Sequence, residues 1–147
     1  MTSARAMPKL FFCAVLLAFA GCATAPPPGI VDTRLQAKPA ELLLEARREL
    51  AAAGVKITGD SANMLVLSET IGEEISSFAA DGAPSQYTVH YRLAFSFNGG
   101  SDVVELSETV DYAAGFYHAG RRQREAAARS LRQSAIAEML HLVGGKV

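Results

Sequence analysis

Three histidines, two cysteines and two close pairs of glutamates are the residues of this 147-residue chain best suited to chemistry. His90, His118 and His141 each stand alone, without the spacing by which two imidazoles on one helix or hairpin share a metal ion. Glu73 and Glu74 are adjacent, so in an extended segment they point to opposite sides and read as a solvated edge rather than an acid–base dyad. Glu108, close to Glu105, shares the alternation of Val104, Leu106, Val110 and Tyr112; it therefore faces inward, or marks a strand end or a bulge. A fold can assemble a Ser-His-Asp set from distant positions, but no G-x-S-x-G elbow presents a nucleophile. Asn98-Gly99-Gly100-Ser101 has the composition of a hairpin turn, not of a strand-to-helix phosphate cradle. These residues predict a chain that is not an enzyme and has no metal and no cofactor.

Cys22 is different. Arg5 and Lys9 precede an unbroken apolar run from Leu10 to Ala20, the arrangement of an export signal and too short to span a bilayer. The run ends in Phe19-Ala20-Gly21-Cys22, which resembles a bacterial lipobox, where the cysteine is lipidated and becomes the new N-terminus. Cys13 would leave with residues 1–21, so no mature thiol remains for a disulfide or a metal. Residues 22–29 then form the lipidated cysteine and a stiff tether containing Pro26, Pro27 and Pro28. Several acyl chains, one amide-linked and two ester- or thioester-linked by that resemblance, anchor firmly where a single chain would not. Ala23 follows the cysteine, so no aspartate marks inner-membrane retention, and the resemblance implies the outer membrane, facing the periplasm.

The mature chain of 126 residues carries twelve basic and fifteen acidic side chains, unlike a dedicated nucleic-acid binder. The charge is unevenly placed. Residues 57–120 hold nine acidic residues and one basic, Arg92, whereas residues 121–147 hold six basic and two acidic. Arg121, Arg122 and Arg124 gather where the last helix is expected to start, with Arg129 and Arg132 beyond them. Cations at a helix N-terminus oppose its dipole, so local helix stability does not explain them. Free N–H groups and guanidinium forks there would suit a phosphate or carboxylate; a solvated basic face is the equally weighted alternative.

Residues 30–147 are expected to form one domain that positions these groups. Ile30 to Leu35 reads as a short strand. Pro39 opens a helix, Gly54 closes it, and Leu43, Ala46, Leu50 and Ala53, widened by Leu42, supply its apolar stripe. Val55-Lys56-Ile57 leads out of it as an extended segment. Met64 to Leu67 is an apolar strand extending toward Ile71 or Ile75. From Gln86 to Phe97, apolar Tyr87, Val89, Tyr91, Leu93, Phe95 and Phe97 alternate with mostly polar neighbours, a strand with one buried and one polar face. Asn98-Gly99-Gly100 reverses the chain into a last strand, Val104 to Tyr112. A final helix spans about Arg122 to Val143, with Leu131, Ala135 and Met139 on its apolar side. The predicted class is α+β: a two-layer sandwich with two helices on one face of a mostly antiparallel four-stranded sheet, in the order βαβββα.

Cys22, the helix ending Ala-Ala-Gly-Val-Lys-Ile, the Met64–Leu67 strand, the Gln86-Tyr87-Thr88-Val89-His90-Tyr91 segment and Val110-Asp111-Tyr112 before a long terminal helix together resemble the LPS-assembly lipoprotein family, LptE or RlpB. The resemblance covers the mature chain through order and spacing. It implies an α/β plug inside the large β-barrel translocon LptD, assisting barrel assembly and delivery of lipopolysaccharide to the outer leaflet. It also implies that Arg121, Arg122 and Arg124 contact lipopolysaccharide, while the turn Phe78 to Pro84 contributes no basic residue. The alternative is a periplasm-facing, non-enzymatic adaptor lipoprotein serving a transporter or a cell-wall synthase.

Overall fold

In the computed structural model, residues 32–111 and 117–144 are described. The leader 1–21, Cys22, the tether to residue 29, Ile30 and the strand end at Tyr112 lie outside them.

β1 (Asp32–Lys38) runs into Pro39, which disfavours helix at the residue before it and so carries the strand three residues past the expected Leu35. α1 (Ala40–Ala52) buries Leu42, Ala46 and Leu50, one side chain every four residues. Gly54, at φ 81, then provides the left-handed step that ends the helix. β2 (Lys56–Ile57) pairs parallel with β1, Asp32 opposite Lys56. β3 (Met64–Phe78), β4 (Pro84–Phe97) and β5 (Gly100–Asp111) form an antiparallel meander, and α2 (Tyr117–Gly144) closes the fold.

The sheet has five strands in the order β2-β1-β3-β4-β5 and is mixed, which corrects the four-stranded, mostly antiparallel expectation. Parallel pairing of β1 with both β2 and β3 is the cause. A two-residue strand has no periodicity to detect, so β2 was legible only as an extended exit from α1. The class and the two-layer arrangement stand, with the element order βαββββα. α2 begins at Tyr117, about five residues earlier than its hydrophobic pattern indicated.

One face of the sheet carries both helices. Leu65, Leu67, Val89, Tyr91, Leu93, Phe95 and Val104 meet Leu42, Leu50, Leu131, Ile136 and Met139 in a single core. β1 stops pairing with β3 at Ser68, so β3 beyond that point is held by β4 alone. The rest of β3 and the start of β4 form an arm, on which Ile71, Ile75 and Phe78 are exposed. Glu108 lies on the helix side but is exposed, and its pairing with Val89 sits in an unbroken register: it marks no bulge.

Candidate functional site

On β3, alternate positions from Leu65 to Ile75 turn toward the helices, and two of them, Glu69 and Glu73, are carboxylates. Four strand residues span about 13 Å and eight helix residues about 12 Å. Arg132 and Arg124, eight residues apart on α2, therefore meet Glu69 and Glu73 as the two rungs of a ladder. Arg132 grips Glu69 with two bonds, Nε to Oε2 at 2.7 Å and Nη2 to Oε1 at 2.8 Å. The Tyr91 hydroxyl donates to the same Oε2 at 2.6 Å, and Glu45 of α1 lies 3.5 Å from Arg132 Nη1. Four elements meet at this one guanidinium.

The inner rung is dry, with the Glu69 side chain 4% exposed and that of Arg132 13%. Burial, and after it the hydrogen bond to the Glu69 carboxylate, holds the Tyr91 phenol far above its ordinary value. The hydrogen bond to Glu69 likewise strengthens the hold of Arg132 on its proton. All the buried side-chain polar atoms described have partners. The cluster fastens α2 and α1 to the sheet. In the outer rung, Arg124 Nε lies 3.3 Å from Glu73 Oε2 and the guanidinium stacks 4.5 Å from the centre of the Tyr87 ring.

The three arginines singled out in sequence therefore have different settings. Arg124 is turned inward by Glu73 and Tyr87. Arg121 pairs with Glu125 one turn along, at 2.8 Å, and Arg122 is exposed. α2 starts at Tyr117, so the N–H groups of its first turn precede these arginines along the chain. Arg132, grouped with them by composition, is the partly buried partner of Glu69. The missed signal was a carboxylate at an inward position of β3, paired with a cation on the apolar side of α2.

The second sheet face is open. His90 Nε2 lies 3.1 Å from Glu74 Oε1, and Arg92 Nε lies 3.3 Å from Glu105 Oε1. Thr70, Gly72, His90, Arg92, Glu105 and Ser107 line a shallow depression there, and a second one extends along Ser68, Ala94, Ser96 and Val103. Glu73 and Glu74 point to opposite faces and ally with different partners, Arg124 and His90. His141 is exposed near the end of α2, and His118 falls within its first turn. Among the described residues no group of three histidine, cysteine or carboxylate side chains is placed to hold a metal. Among them, too, no helix is long and apolar enough to cross a membrane.

The fold is one already seen in solved structures of bacterial lipoproteins. Rare lipoprotein B from Shewanella oneidensis superposes with a TM-score of 0.70 at 18% identity, over 78% of this chain and 95% of that one. A minor lipoprotein from Acinetobacter baumannii superposes at 0.65 and 12% identity, over 80% of this chain and 92% of its own. Lipoprotein B from Nitrosomonas europaea also gives 0.65 and 12%, over 78% and 83%. At these identities the likeness is one of fold, and it agrees with the resemblance drawn from the sequence. No protein-family model matches the chain, and no curated protein matches it.

Proposed function

We propose that this chain is an outer-membrane lipoprotein, anchored through Cys22, that serves as the plug subunit of a lipopolysaccharide translocon. In this role it supports assembly of an LptD-like β-barrel and delivery of lipopolysaccharide to the outer leaflet. The observation that carries the reading is the fold shared with rare lipoprotein B; in this chain the β3–β4 arm projects from a helix-fastened base and one sheet face is left largely polar. A polar face of Thr70, Thr88, His90, Arg92 and Ser107 suits the hydrated interior of a large barrel. Arg121, Arg122 and Arg124 are the proposed contacts with lipopolysaccharide phosphates. The chain acts by binding, without catalysis.

Depletion of the protein tests this directly. Surface lipopolysaccharide should fall, and the lipid-anchored chain should co-purify with a β-barrel several times its mass. Normal surface lipopolysaccharide after depletion would refute the translocon role. Co-purification with a transporter or a wall synthase instead would favour the adaptor alternative.

A further inference from the structure

Charge is divided across the sheet from one edge to the other. β1 and β2 carry Arg34, Lys38 and Lys56 against a single acid, Asp32. β5, at the other edge, carries Asp102, Glu105, Glu108 and Asp111 and no cation. The register places Arg34, Lys38 and Lys56 on one side of the sheet, because Arg34 and Lys38 alternate along β1 and Lys56 stands opposite Asp32. That side is the open one, since Lys38 pairs with Ser68 while the neighbouring Leu67 is in the core. All three cations are exposed, and none is among the ion pairs that hold Arg92, Arg121, Arg124 and Arg132.

The tether enters at this same edge. Ten Cα–Cα steps, through residues 23–31, lead from Cys22 to the start of β1, where Asp32 stands beside Lys56. Fully extended they reach about 35 Å. An acyl-anchored chain would therefore hold the three cations close to headgroups at a high effective concentration. Cations near an anionic leaflet add roughly fivefold each to binding, whereas the four acids of β5 are repelled.

We propose that the β1–β2 edge, through Arg34, Lys38 and Lys56, docks on the anionic phospholipid headgroups of the leaflet that holds the anchor, with β5 facing away. The proposal rests on the lipid-anchor reading of Cys22 for its proximity, but its electrostatic half is separable.

The test uses the purified mature chain on phosphatidylcholine vesicles, with and without about a third phosphatidylglycerol. A fluorophore is attached at Gln36→Cys, in the patch, or at Ser107→Cys, on the same sheet face toward the acidic edge, and a headgroup-borne quencher is included. Quenching at position 36 should be several-fold stronger with phosphatidylglycerol, and be lost in 0.5 M salt and in Arg34→Gln/Lys38→Gln/Lys56→Gln. Position 107 should change little. Millimolar inorganic phosphate should not compete, which separates a headgroup surface from a free-phosphate site. Equal quenching at position 36 on both vesicle types, or no effect of the triple variant, would overturn the proposal. Failure of the anchor reads differently: the chain washes off pure phosphatidylcholine vesicles, and salt-sensitive retention on the anionic ones then tests the patch alone.

Discussion

Arg132 closes a bidentate bridge onto Glu69, a carboxylate only 4% exposed, and thereby joins the last helix to the third strand across the core. Breaking such a pair strands the other charge in a dry site and costs about 3–5 kcal/mol, whereas replacing both charges by apolar groups is often close to neutral. Glu69→Ala and Arg132→Ala should each lower the urea midpoint strongly. Glu69→Leu/Arg132→Leu should recover most of the loss. A double variant as unstable as the singles would show that the bridge contributes more than mutual neutralisation.

Tyr91 gives that cluster a pH signature. Its phenol is raised above the ordinary value near 10, first by burial and then by the hydrogen bond to Glu69. A group whose folded pKa is raised stabilises the fold fully below its unfolded value, so this contribution is intact below about pH 10. It is lost as pH climbs from there toward the folded value. Ultraviolet titration should show a tyrosine component that ionises only with unfolding, and Tyr91→Phe should abolish that component. Ionisation of all the tyrosines near pH 10 in the folded protein would contradict the assignment.

Arg124 and Arg122 should separate stability from binding. Arg124 bridges to Glu73 and stacks on Tyr87, so Arg124→Ala should cost about 1 kcal/mol. Arg122→Ala, at an exposed site, should change stability by less than about 0.5 kcal/mol. If the basic cluster meets lipopolysaccharide, Arg122→Ala should weaken binding of purified lipopolysaccharide several-fold in a surface-capture assay. Unchanged binding would leave Arg122 as a solubility charge.

The parts legible in the sequence were those with a period. Tyr87 to Phe95 alternate over a whole strand, and Leu131, Ala135 and Met139 recur by turns of a helix, so both elements and their buried sides follow from spacing alone. The two-residue β2 has no period, and its parallel pairing depends on where α1 returns the chain. Glu69 and Arg132 lie 63 positions apart, and each interrupts an apolar pattern that made sense without the other. Grouping arginines by composition placed Arg132 with Arg122, although one is partly buried against Glu69 and the other exposed. Only the fold decides which cation a buried carboxylate takes.

The Asn98–Gly99 turn should be sensitive at both positions. Asn98 has φ 48 and Gly99 φ 89, the two left-handed residues of a hairpin reversal. The Asn98 side chain also accepts from the Met64 N–H at 2.9 Å and donates to Asn63 Oδ1 at 2.9 Å, tying the turn to the start of β3. Asn98→Ala loses both bonds and should cost about 1–3 kcal/mol. Gly99→Ala meets no neighbouring atom but is strained by its backbone, and should cost about 1–2 kcal/mol. Equal stability of Gly99→Ala and the parent in thermal melts would mean that the turn relaxes to another type.

The arm should respond in the opposite sense. Ile75 and Phe78 are 44% and 61% exposed, on a part of β3 held by β4 alone. Exposed apolar side chains contribute little to folding, so Ile75→Ser and Phe78→Ser should shift the melting temperature by no more than a degree or two. Exposed apolar groups that fasten no core are candidates for partner contact. In the plug reading the arm lies against barrel wall, so these two variants should fold normally and yet lose most of the co-purifying barrel. Full co-purification by both would detach the arm from that role, whereas a large fall in melting temperature would show that these side chains serve the fold itself.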